Sequence, residues 1–301
     1  MHKHHKRRLI LVTIVVAIFC AAYAQHRYGQ KPVVTGHLQD KRMNETSGIA
    51  ASAINKDIFY VHNDSGDSSR FFAISPDGTL KRTYYYKGDP DITDGVDDCE
   101  DIAVGPGPVK GKSYIYMGDI GDNHSNRPYI TVYRIPEPEI NGRDSILTAV
   151  PIHLKYPDGA KDAETLMVDP VERQLYIVTK RHDWVGIYTA PLAFKANDTV
   201  TLTKRGQLHF SGLPVFKWIT AGDISKDGKQ ILLKSYVHVY YWRRNGNEPV
   251  WKAMLRKPQE LNYDQEKQGE AIGFTNDGKA FYTTSEGVFA PIYLYTLPDL
   301  P

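Results

Sequence analysis

Glu100, Glu164 and Glu270 each stand two residues before an aliphatic residue in a pattern that occurs five times. The copies are Glu45-Thr46-Ser47-Gly48-Ile49, Asp98-Cys99-Glu100-Asp101-Ile102, Asp162-Ala163-Glu164-Thr165-Leu166, Thr220-Ala221-Gly222-Asp223-Ile224 and Gln268-Gly269-Glu270-Ala271-Ile272. A second series follows downstream in each copy, at Asn63-Asp64, Asp119-Ile120, Thr179-Lys180, Ser235-Tyr236 and Ser285-Glu286. If both series meet in space, their carboxylates repel and raise one another's pKa unless a cation or a donor answers them. An oxygen-only donor set suits Ca²⁺ better than zinc. Asp64, Asp101, Asp119, Asp223 and Glu286 are the expected ligands of such a divalent cation. Arg70, Arg127, Lys180 and Arg181 lie in the loops beside them and would receive an anionic ligand. Glu100, Glu164 and Glu270 are the candidate acids and bases, for a phosphoester or a glycosidic bond. The competing expectation is that these acids cap strands and pair with the same bases.

Other chemistries are weaker. Cys99 has no partner histidine fixed by spacing, and a small buried role is the commoner one. His62 and His124 flank the same expected opening as ligands, bases or hydrogen-bonded loop residues. Asp119-Ile120-Gly121-Asp122-Asn123 lacks the alternate spacing and terminal Glu of an EF-hand, so it serves at most as one wall of a shared site. There is no Gly-x-Ser-x-Gly, no His-Glu-x-x-His and no phosphate loop.

The elements that must carry these groups are short strands. The anchors Ile49, Ile102, Leu166, Ile224 and Ile272 are 53, 64, 58 and 48 residues apart, near the length of a four-stranded blade. Runs such as Ile58-Phe59-Tyr60-Val61 and Phe71-Phe72-Ala73-Ile74 are separated by Asn-Asp-Ser-Gly and Ser-Pro-Asp-Gly turns, which argues antiparallel sheet. The fourth unit reads as strands at Ile224, Ile231 to Leu233, His238 to Trp242 and Val250 to Leu255. The fifth unit offers three strands, and residues 33–38 could supply the fourth. The prediction is an all-β, five-bladed propeller closed by an N-terminal strand, with six blades as the alternative.

The chain has 301 residues and a net charge of +2. Lys3, Lys6, Arg7 and Arg8 precede an apolar run from Leu9 to Ala24, the signature of a secretory signal peptide over 1–24. The alternative is a membrane anchor over residues 9–24, although the run is shorter than the ~20 residues that span a bilayer. Residues 25–301 then form one domain with net charge −2, exported to the periplasm or beyond. Cys99 is its sole cysteine, so no internal disulfide forms. No basic patch interleaved with aromatics points to nucleic acid.

Asn63-Asp64-Ser65-Gly66, Glu100-Asp101-Ile102-Ala103, Gly118 to Asn123 with Arg127, Asp162-Ala163-Glu164 and Gly269-Glu270-Ala271-Ile272 occur in one order over residues 44–290. In this the chain resembles secreted bacterial β-propeller proteins of uncertain function. Its Asp-Ala-Glu and Asn-Asp elements are distantly similar to calcium-dependent, phytase-like propellers, which implies a cation-binding acidic mouth. The full phosphate-binding motifs of those proteins are not matched. The expected function is binding of a small phosphorylated or saccharide ligand, with or without hydrolysis. A non-catalytic module that grips a protein or glycan is the alternative.

Overall fold

The computed structural model describes residues 27–181 and 183–298; the expected signal segment, residues 1–24, lies outside them. Alternating apolar residues fold the chain into five antiparallel sheets. The innermost strands are Thr46–Ala51, Cys99–Pro106, Ala163–Asp169, Ile219–Ile224 and Gly269–Phe274, defining blades 1 to 5. Each innermost strand packs against the next, and that of blade 5 returns to blade 1, so the sheets form a closed ring. The protein is a five-bladed β-propeller.

One apolar cluster fills each of the five interfaces between blades. The period of two decides which residue faces which neighbour: Ile49 packs with blade 5, and Ala50 with blade 2. The outermost strand of blade 5 is Val33–His37, paired antiparallel with Pro291–Thr296, so an early segment of the chain completes the sheet of the last blade. Gly36 permits this closure, because a Cβ there would press on the backbone of Asp77 in blade 1. Short parallel segments cover the outer edges of three other blades: Ile146–Leu147, Asp198–Thr201 and Arg27–Tyr28. They leave fewer unpaired backbone groups at the rim.

Two expectations for blade 4 need correction. Val250–Met254 is a helix, and the outer strand is Gln259–Leu261. Pro249 at the helix N-cap lacks the N–H an interior strand needs, and Trp-Lys-Ala-Met suits a helix whose Val250, Ala253 and Met254 are buried. The repeat alignment also slips by two residues. Gly222 faces Leu233 as Ile49 faces Val61, Ile102 faces Met117 and Leu166 faces Ile177. Gly222, not Ile224, is therefore the structural counterpart of the other anchors.

Candidate functional site at the acidic mouth

A β-bulge interrupts every innermost strand near its start, at Ser47, Glu100, Glu164, Thr220 and Glu270. A bulge leaves its extra residue out of the pairing ladder and re-aims its side chain. Second strands end beside these starts. Backbone N–H groups of Asp64, Gly121, Lys180 and Glu286 donate to the carbonyls of Glu45, Asp98, Asp162 and Gln268 respectively. One repeated backbone link thus sets Asp64, Ile120, Lys180 and Glu286 beside the bulged residues of four blades. Both series occupy the same end of the channel.

At that mouth, oxygens of Asp64, Asp98 and Glu100 lie within 4.8 Å of one another, as do oxygens of Asp64, Glu270 and Glu286. Asp64 belongs to both groups. Ligands at ~2.4 Å from a Ca²⁺ ion stand at most ~4.8 Å apart, so either triad fits around one such ion. Two carboxylates at this separation repel by about 3–4 kcal/mol at an effective dielectric of ~20. Burial, reinforced by these neighbours, pushes Asp64 up to about 6, Asp98 to about 7 and Glu286 to about 8. Burial first, then Asp64 and Asp98, hold Glu100 well above the carboxylate range. Glu100 is 2% exposed and its carboxylate accepts no hydrogen bond among the described residues. An all-oxygen set with a buried, unanswered carboxylate fits a hard divalent cation. A Cβ at Gly121 would press on the Asp98 and Glu100 carboxylates, which explains glycine there.

The bases expected in the loops are already engaged. Lys180 pairs with Glu164, and Arg181 pairs with Asp162, bonds Asn123 and stacks over Trp218 at 4.8 Å. Both come from blade 3, the blade adjacent to neither blade 1 nor blade 5 in the ring. Lys180 still acts electrostatically on Asp64 and Glu100. Arg127 bonds Asp119 at 2.8 Å and the Gly121 carbonyl at 2.7 Å. Arg70 holds Asp67, whose carboxylate also accepts from Asn63. Arg127 and Arg70 therefore brace the loops instead of facing the mouth.

The expected metal ligands separate into two kinds. Asp64 and Glu286 meet in the carboxylate groups. Asp101, Asp119 and Asp223 do not. Asp101 accepts from the N–H groups of Ile102 and Leu166, both at 2.8–2.9 Å. Asp223 does the same for Ile224 and Phe274, each at 2.8 Å. These two carboxylates stitch one innermost strand to the next. Asp119 accepts from the backbones of Asp97 and Asp98 and from Arg127, so it shapes the loop that delivers Asp98. Among the candidate catalytic acids, Glu164 is held by Lys180 and Glu270 by the Tyr236 hydroxyl at 2.7 Å, while Glu100 is free. Glu164 keeps one buried oxygen without a partner.

Asp98 is missing from the expected ligand set, although its place four residues before the anchor Ile102 repeats that of Asp162. Tyr236 and Trp218 are missing too; the slipped alignment of blade 4 hid Trp218, which takes the place of Asp98 there. His62 is buried in the first blade with Nδ1 at 2.8 Å from the Asn63 carbonyl, and desolvation pushes it down to about 4. Cys99 is buried between blades 1 and 2, where burial raises its thiol pKa and makes it inert.

No protein-family model and no curated protein matches the chain. Among solved structures it is similar in fold to a gluconolactonase from Xanthomonas campestris, described as important in glucose secondary metabolic pathways. The identity is 12%, the TM-score 0.48, and the match covers 90% of this chain and 99% of that one. A likeness of that degree carries no argument about activity, and none of these findings extends to phytase-like propellers. Fold and site together define a β-propeller with an acidic channel mouth.

Proposed function

We propose that this chain is an exported propeller whose acidic mouth takes a divalent cation, Ca²⁺ by preference, and with it a small phosphorylated or saccharide anion. The observation that carries the proposal is the pair of carboxylate triads sharing Asp64, with Glu100 buried and unanswered among them. Bound there, the ion would offset the mutual repulsion and polarise a ligand oxygen. Asp64, Asp98, Glu100, Glu270 and Glu286 are the residues that would hold it. Lys180 and Arg181, from the blade across the ring, stay paired with Glu164 and Asp162 and would act on the ligand's anionic end only through their charge. In a hydrolytic form Glu100 accepts the proton of an attacking water, since Glu164 and Glu270 are engaged by Lys180 and Tyr236. That same engagement supports the second reading, a non-catalytic binding module.

Elemental analysis of the purified full chain and calorimetric titration with Ca²⁺ test the cation. The wild type should bind it, and Asp64→Asn should bind about tenfold or more weakly, because one change cuts both triads. No bound metal and no binding heat would remove the proposal. Glu100→Gln, assayed on 4-nitrophenyl phosphate and 4-nitrophenyl glycosides, separates the two forms: loss of turnover supports hydrolysis, and absence of turnover in the wild type supports the module. Export predicts an N-terminus at Gln25 in the mature protein, readable by mass spectrometry.

A further inference from the structure

At the end of the channel opposite the acids, the innermost strands of blades 2, 3 and 4 run out around a recess of about 360 Å³. Val104, Pro106, Val168, Pro170 and Ile224 form its apolar wall, and Ile54, 51% exposed, borders it from blade 1. An apolar recess of this size with few polar groups is the usual form of a small-molecule site.

The charges in this lining are of one sign. Lys112 and Lys226 line it, and no carboxylate does among the described residues. Lys226 Nζ crosses from blade 4 to the Ala53 carbonyl of blade 1 at 3.2 Å, and Ala53 is itself part of the wall. That bond uses one of the three ammonium protons and leaves two donors open. The Lys112 side chain has no partner among the described residues, and both lysines are exposed, so a ligand can reach them. The acids nearby already accept elsewhere. Asp223 accepts from the N–H groups of Ile224 and Phe274, and Asp227 from Ser225 Oγ and Lys229 N. Glu137 accepts from Ser52, Ala53 and Tyr60. Glu139 lines a neighbouring cavity that shares Lys112, and makes no ion pair with it among the described residues.

We propose that this recess is a second binding site, for a small carboxylate on a compact apolar body. The carboxylate accepts from Lys226 Nζ and Lys112 Nζ, one oxygen for each, and the body packs on Val104, Val168 and Ile224. An exposed ion pair is worth little by itself, so the affinity needs the charge and the apolar contact together. The proposal does not depend on the mouth, because the cations of this site are the chain's own side chains.

Titration of the metal-free, full-length protein with sodium phenylacetate, 2-phenylethanol and sodium acetate tests it, by calorimetry at pH 7. Phenylacetate should bind saturably, about fivefold or more tightly than either the neutral alcohol or acetate. Lys112→Gln and Lys226→Gln together should abolish the preference for phenylacetate over the alcohol. Ile54→Asp, an exposed change that leaves both lysines in place, should weaken phenylacetate by a similar factor by setting a like charge at the rim. Ile54→Asp decides the matter alone if the double variant does not fold. Asp64→Asn should leave phenylacetate binding unchanged, which separates this site from the acidic mouth. No saturable binding, equal binding of phenylacetate and the alcohol, an undiminished preference in the folded double variant, wild-type affinity in Ile54→Asp, or loss of binding in Asp64→Asn would overturn the assignment.

Discussion

Glu100 and Asp101 are consecutive residues on one strand, equally buried, and they end differently. Asp101 is answered by two backbone N–H groups, one from the neighbouring blade; Glu100, on the bulge, is answered by none. The same contrast divides the two ends of the propeller. At the far end of blade 3, Asp169 forms a bidentate pair with Arg244 of blade 4, at 3.0 and 2.8 Å, with both groups almost wholly buried. At the mouth, Asp64, Asp98, Glu100, Glu270 and Glu286 face one another, beside acids that do have bases, Glu164 and Asp162. A charge that holds the fold together has its partner built in, whereas a charge with none is available to something from outside.

The largest effect expected from breaking this contrast is at the far end. Asp169→Ala leaves the buried Arg244 with Glu172, at 3.2 Å, as its one remaining carboxylate beside the Gly228 and Glu248 carbonyls, and should cost about 3–5 kcal/mol in chemical denaturation. Cation affinity at the mouth should be unchanged; a loss there would mean that the two ends are coupled.

Next in size is the pH dependence of the mouth. Asp64, Asp98 and Glu286 titrate at about 6, 7 and 8, above the ~4 of an unfolded carboxylate. Their protonated forms favour folding, so this contribution is complete below about pH 4 and is lost as the pH rises to about 8. His62 works in the opposite direction. Its folded value of about 4 lies below the ordinary 6.5, so its contribution is present above about pH 6.5 and disappears as the pH falls to about 4. Asp98→Asn isolates the acid arm: in metal-free protein its melting temperature should gain on the wild type between pH 4 and pH 8. Parallel profiles would mean that Asp98 is not strained. Ca²⁺ affinity should rise from pH 6 to pH 8 as protons leave the site.

The smallest effect expected is at Arg181, which is 31% exposed on its side chain. Arg181→Ala should cost about 1 kcal/mol or less in stability, because solvent screens the pair with Asp162. It should weaken an anionic ligand severalfold while leaving the cation stoichiometry intact. A lost cation would place Arg181 in the structure of the site instead of at its edge.

Much of this architecture was legible from period and punctuation. Repeating apolar pairs gave the blade number, and residues 33–37 close the ring because blade 5 had a strand too few. The acids at strand starts and second-strand ends could be assigned to one mouth, since strand direction alone decides at which end they emerge. Blade 4 was misread where its composition imitates the others: Ile224 looks like an anchor, but pairing makes Gly222 the counterpart. Its outer strand lies further along the chain than the sequence suggests, because a run of six residues with five of them apolar suits either a strand or a short helix.

The sequence by itself determined where each carboxylate stands along its strand, because side-chain alternation and turn chemistry are local. Tertiary structure alone decided which acids are answered. Asp101 and Asp223 find backbone donors on the neighbouring blade, 65 and 51 residues away in the chain, while Glu100 is turned aside by its bulge. Hydrogen-bond partners at such separations are set by how the blades close, and no spacing along one strand encodes them.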